Sequence, residues 1–285
     1  MGSFLHRHRG VAPYLLLAPG LAWLTLFFLL PLAFLGYQSL QSGSFPNYAF
    51  TWEFSNYAKA FTDFRPQLMR SLTYAGLATA LALLLAYPLV YWIAFRAGRW
   101  KNLFLLFIVA PFFVTYLIRT LAWLNILADE GPVVGVLRDV GLLADDGRLL
   151  ATSIAVVAGI TYNFFALMAL PIYVSLEQID HRLLEAAKDL YASPTQAFLR
   201  VTLPLSAPGI VAGTLLTFIP AAGDFINAQL LGTPQQYMLG NVIQSRFLEL
   251  IDYPTAAALS FVLMATILVA LLAYARVVGS EKLTG

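Results

Sequence analysis

Six stretches of this chain, roughly 12–38, 68–95, 101–128, 150–176, 205–231 and 254–278, are each apolar for about the 20 residues that a helix needs to cross a bilayer core. Only 11% of the 285 residues are charged and 60% are hydrophobic, whereas a soluble domain carries roughly 25% charge. So few charges cannot cover a globular surface in water, so lipid must solvate much of this one. Backbone polar groups in hydrocarbon have to be satisfied within the segment, which selects helices. The expectation is an all-α, polytopic membrane protein with six transmembrane helices over 12–278, flanked by short ends at 1–11 and 279–285.

Composition narrows the chemistry further. A net charge of +2 gives no basis for a nucleic-acid partner, and the absence of cysteine excludes disulfides, thiolate metal sites and cysteine nucleophiles. The first apolar run continues to about Tyr37. That exceeds a signal-peptide core, and no small-x-small site closes it, so it is expected to be a retained span.

Orientation follows from Lys and Arg. Arg7, Arg9, Arg96, Arg99, Lys101, Arg182, Lys188, Arg200, Arg276 and Lys282 fall on one side, and Lys59, Arg65, Arg70, Arg138, Arg148 and Arg246 on the other. The excess places both termini in the cytoplasm, as an even number of spans requires. Segment 177–204 is then cytoplasmic. The opposite face carries most of the acids, five of them within 129–149, and reads as an ordinary solvated loop surface.

Segment 177–204 is the longest polar interruption with its own helical pattern. Asp180 can cap a helix in which Leu183, Leu184, Ala187, Leu190 and Tyr191 make one apolar stripe, with Glu185, Lys188 and Asp189 beside it. Ser193 then suits an N-cap, Pro194 a first helical position, and Gln196 closes a capping box. A short amphipathic helix, a sharp turn and a second helix result. One alternative is a helix lying flat on lipid, but the balanced charges on its polar face favour a protein partner.

Glu185, Ala186 and Ala187, followed at fixed spacing by Val201, Leu203 and Pro204, resemble the EAA loop of the permease subunits of ABC importers. Tyr191 stands where that pattern has glycine. Pro111-Phe112-Phe113 with Ile118–Trp123, and Phe218–Phe225 with Leu230-Leu231-Gly232, are similar to the spermidine/putrescine (polyamine) importer permeases, first-subunit type. The resemblance implies a type I ABC importer permease fold in a bacterial plasma membrane. It implies four kinds of partner: a second homologous permease, two ATPase subunits that bind ATP and Mg, an extracytoplasmic substrate-binding protein, and the bilayer. Leu183, Leu184, Glu185, Ala186, Ala187, Leu190, Tyr191 and Pro204 would then couple to the ATPases. Permeases of this group are alike across polyamines, other small amines, phosphonates and iron.

Ionisable residues within spans mark function by default. Asp224 follows Pro220 and Gly223, which can open the fifth helix. It suits an organic ammonium in a substrate pathway, or equally a cap for the helix that resumes after it. Asn227 joins it on the same segment. Tyr162, Asn163 and Phe164 form a polar-aromatic cluster that can hold a cation or simply pack, and Trp123 can face the pathway or an interfacial belt. Arg119 is expected to pair with an acid or to snorkel outward.

No catalytic or metal constellation is expected: His181 is far in sequence from His6 and His8, and no phosphate-binding GxxxxGK[ST] occurs. The chain itself is therefore expected to need no cofactor and to be no enzyme. The function expected is alternating-access import of a small cationic solute. A secondary carrier, or a membrane-embedded enzyme, is the competing class.

Overall fold

The computed structural model describes residues 12–144 and 146–278. The two terminal segments, with His6, His8, Arg7, Arg9 and Lys282, and also Asp145, lie outside the described residues. Within them the chain forms two compact units: residues up to Asp63 with Ser245–Val262, and Phe64–Gln244 with residues from Leu263 on.

In the first unit, α1 runs Ala12–Leu24, passes through a π-helical turn at Thr25–Leu29 and continues Leu30–Ser39. Its apolar side chains, from Leu16 to Phe34, are exposed, as expected of a surface solvated by lipid. An antiparallel hairpin follows, β1 (Gln41–Ser44) with β2 (Asn47–Phe50), and then α2 (Ser55–Thr62). Buried Asn56 ties α2 to the end of α1 and the start of β1 by donating to Ser39 O (3.2 Å) and Gln41 O (2.9 Å). This hairpin carries no sequence signal, because neither strand alternates apolar and polar residues.

The second unit holds α3 (Arg65–Arg96), α4 (Lys101–Val109), α5 (Tyr116–Leu127), α6 (Pro132–Asp139), α7 (Ser153–Glu177) and α8 (His181–Asp189). Next comes α9, which starts at Pro194–Ala197, turns through a π-helical stretch at Phe198–Thr202 and continues Leu203–Ala222. Then follow α10 (Ile226–Leu231), α11 (Leu239–Leu248) and α12 (Tyr253–Val278), the last two running past the boundaries of the unit.

Small residues set the core of this unit. Ala75, Ala78, Ala82 and Ala86 make a fully buried stripe along α3 at helical spacing, and α7 packs on α3. On α9, Gly209 and Gly213 are four apart, so both face α7. A Cβ at Gly209 would lie 2.5 Å from Pro171 O and from Ser175 Oγ, and one at Gly213 would lie 2.8 Å from Met168 O. Without a hydrophobic driving force between helices in lipid, such close approach supplies the contact. Gly209→Ala is therefore expected to lose about 1–3 kcal/mol of stability through overpacking. A lowered unfolding midpoint of the purified protein in micelles checks this, and an unchanged midpoint would contradict the tight contact.

Among the described residues five helices are long and apolar enough to cross a membrane, six if one bent pair counts as a span. That pair falls on the expected third span, 101–128. Gly98–Phe113 and Tyr116–Asp139 meet at 99°. Pro111 and the extended backbone at Val114 (ψ 137°) and Thr115 (ψ 145°) account for the break. α4 and α5, at about 1.5 Å per residue, each fall short of a ~30 Å core. The fifth span is also interrupted: α9 stops at Ala222, three residues intervene, and α10 covers Ile226–Leu231.

Candidate functional site: a polar hairpin and a buried polar cluster

Two places concentrate the singled-out residues. The first is the hairpin between α7 and α9. Asp180 caps α8, its Oδ1 accepting from Arg182 N at 2.9 Å. Ser193 and Gln196 form the reciprocal capping box at the start of α9. Between them Tyr191 adopts φ 58°, a left-handed turn that L side chains enter at a cost of roughly 1–2 kcal/mol. This is the geometry that glycine would supply freely, so the turn survives the substitution at that position.

The apolar stripe of α8 divides. Leu183, Leu190 (81% exposed) and Tyr191 (97% exposed) point into solvent. Leu184 and Glu185 instead line a cavity of about 410 Å³ behind the hairpin, with Tyr91, Phe95, Lys188 and Phe198. Ring contacts seat the hairpin on the end of α3: His181 meets Phe95 edge-on (5.6 Å), and Phe198 meets both Tyr87 (5.8 Å) and Tyr91 (5.7 Å). Pro204 lies at the start of the regular part of α9. The hairpin thus combines an anchored base with an unpartnered apolar tip.

The second place is deep in the same unit. Asp224 lies between α9 and α10, 6% exposed. Its Oδ1 accepts from Asn227 N at 3.0 Å and so caps α10. Its Oδ2 accepts from Asn227 Nδ2 (2.6 Å) and from the Tyr116 hydroxyl. Asn227 Oδ1 accepts from Asn163 Nδ2 at 3.2 Å and from Thr120 Oγ1 at 3.4 Å, and Asn163 Nδ2 also reaches Thr120 Oγ1 at 3.1 Å. Three helices and a break therefore share one buried polar network. Gly159 makes room for it, since a Cβ there would lie 2.6 Å from Asn227 Oδ1. The break is held from behind by Asn241, whose Nδ2 donates to Phe225 O at 2.8 Å.

Asp224, Asn227 and Asn163 are thus brought together. Phe164 packs on Tyr116 (5.8 Å), and Trp123 packs on Tyr162 (5.4 Å), half-buried. Arg119 departs from both expectations. It pairs with no acid among the described residues and does not reach outward. It is 8% exposed, donates to Asn163 O at 3.1 Å, and lies over the rings of Phe112 (5.3 Å) and Tyr116 (5.7 Å). The break before α5 turns it inward, and the ring faces supply the attraction. Tyr116 and Thr120 were missed by sequence reasoning. Their spacing of four, on the face of α5 opposite an intramembrane acid, is the signal that could have found them.

Comparison with known proteins adds lineage. Residues 67–278 match the family model described as binding-protein-dependent transport system inner membrane component. The chain is 39% identical over 255 residues to the spermidine/putrescine transport system permease protein PotB of Haemophilus influenzae, covering 89% of this chain and 88% of that one. It is 36% identical over 258 residues to the protein of the same name in Escherichia coli K12, covering 89% and 93%. A bacterial ABC transporter that imports the acidic polysaccharide alginate has a chain of the same fold, with TM-score 0.77 over 99% of both chains at 19% identity.

Proposed function

The chain belongs to the family of binding-protein-dependent transport system inner membrane components, and we propose that it is the first-type permease subunit of an ATP-driven polyamine importer, forming half of the path for spermidine or putrescine. Both termini lie in the cytoplasm, a second homologous permease completes the path, and an extracytoplasmic binding protein delivers substrate. Two ATPase subunits hold ATP and Mg and grip the hairpin between α7 and α9. ATP-driven closure of those subunits moves the hairpin, and the anchored base transmits the movement to α3 and α9. Because only differential interaction with two states can shift an equilibrium, the hairpin stays engaged through the cycle.

The observation that carries this reading is the tip of the hairpin: Leu190 and Tyr191, almost wholly exposed on a firmly capped turn. A polar loop with no partner has no reason to present two large apolar side chains there. The polyamine assignment is supported by the names of the relatives and by the buried carboxylate of Asp224, which complements an ammonium group.

The test is reconstitution with the neighbouring subunits in proteoliposomes. ATP-dependent uptake of labelled spermidine or putrescine, but not of an anionic control, is the expected result, together with two ATPase chains retained in detergent. Uptake that persists without ATPase subunits would mark a secondary carrier. ATP-dependent uptake of the anion alone would overturn the substrate class.

A further inference from the structure

The two helix breaks of the second unit meet at one hydrogen bond. α4 and α5 part at 99° around Val114 and Thr115, and α9 and α10 are separated by Gly223–Phe225. Tyr116 is the first residue of α5 and Asp224 sits in the middle of the other gap, and the Tyr116 hydroxyl donates to Asp224 Oδ2. Asn227 Nδ2 closes the triangle, 2.6 Å from Asp224 Oδ2 and 2.5 Å from Tyr116 Oη. Broken helices facing one another are how membrane carriers assemble sites at depth.

The donors on this carboxylate are a hydroxyl, a side-chain amide and the backbone amides of Ile226 and Asn227. No Lys, Arg or His lies within 4.0 Å of it among the described residues, whose ion pairs are Lys101–Glu177, Arg148–Asp129 and Arg246–Asp252. Even Arg119, on the same face of α5, spends its guanidinium on Asn163 O and two rings. The acid is thus buried with neutral partners only. The hydroxyl's bond to the carboxylate is already charge-assisted, but an ammonium adds the attraction of an opposite charge in a dry site, which no neutral donor supplies. An ammonium arriving at Oδ2 therefore displaces the hydroxyl, whereas a hydroxyl or amide of a neutral solute gains nothing by the exchange.

We propose that Tyr116 is a specificity-determining residue: in the substrate-free state its hydroxyl occupies the position on Asp224 that a substrate ammonium takes, and it latches the two helix breaks together until a cation replaces it. This rests on the reading of Asp224 as a pathway residue. Neutral solutes are rejected because they cannot outcompete the latch. Displacement frees the start of α5 from the break before α10, so that occupancy by a cation loosens the joint on which the bend of the third span turns.

The test measures binding of labelled spermidine to the purified complex in detergent, without the binding protein, for wild type, Tyr116→Phe and Asp224→Asn. Loss of a competing hydrogen bond to the carboxylate predicts that Tyr116→Phe binds spermidine about ten- to a hundredfold more tightly. A merely structural role for the hydroxyl would weaken binding or assembly instead. Binding that is unchanged or weaker in an assembled Tyr116→Phe complex overturns the latch. The pathway reading survives that outcome when Asp224→Asn binds weakly, and falls with the latch when Asp224→Asn binds like wild type. Should Tyr116→Phe fail to assemble, Tyr116→Met, which also lacks the hydroxyl, carries the same expectation.

Discussion

Leu190→Asp is expected to release the ATPase subunits from the purified complex and to reduce ATP-dependent uptake at least tenfold, while leaving the permease folded. Leu190 is 81% exposed, so its side chain contributes little to the fold. Burying a leucine in a partner's groove is worth about 1.5–3 kcal/mol, which is roughly ten- to a hundredfold in affinity. An aspartate forced into the same groove adds the penalty of an unpaired buried charge. Pull-down of the ATPase chains with tagged permease reads the effect directly. Undiminished pull-down would mean that the tip of the hairpin is not the gripped surface.

Tyr191→Gly is the matching control. The residue already holds φ 58°, so glycine keeps the turn and relieves its strain. It also deletes a ring that is 97% exposed. Assembly is therefore expected to be retained with weaker ATPase retention than wild type, and the difference reports how much the ring contributes to the grip.

Local rules carried far in this chain. The caps at Asp180 and Ser193 and the proline after the second depend on residues within four positions of one another, and each occurs where the pattern placed it. The apolar runs likewise located the spans, because length and hydropathy are properties of a single segment. What escaped was relational. The division of the α8 stripe, with Leu183 and Leu190 outward and Leu184 inward, depends on Phe95 and Tyr91, nearly a hundred residues earlier. The 99° bend in the third span depends on extended backbone at Val114 and Thr115, and Pro111 alone did not announce it. The role of Gly209 and Gly213 depends likewise on the carbonyls of Pro171 and Met168 on α7. Asp224 was legible as an anomaly, but Tyr116, which bonds it, and Thr120, which bonds Asn227 and Asn163, were not, since a tyrosine and a threonine in an apolar helix carry no cost that demands notice.

Asp224→Asn is expected to lower spermidine uptake about ten- to a hundredfold without changing the amount of assembled complex. The amide keeps one function of the carboxylate and loses another. Asparagine is as good an N-cap as aspartate, so its Oδ1 can still accept from Asn227 N and start α10. Shape and volume are preserved, so the packing of Gly240 against the backbone of Gly223 and Asp224 need not change. What disappears is the negative charge and one acceptor: the second position becomes an NH2 that confronts the Tyr116 hydroxyl and the Asn227 amide. Hydrogen bonds to charged groups contribute about 1.5–3 kcal/mol, and that contribution is what a substrate ammonium would forfeit. Uptake assayed in proteoliposomes beside quantified complex separates the two effects. Equal loss of uptake and of assembled complex would make Asp224 a cap and nothing more, whereas uptake lost from a complex present in normal amount is the signature of a carboxylate that meets the cargo.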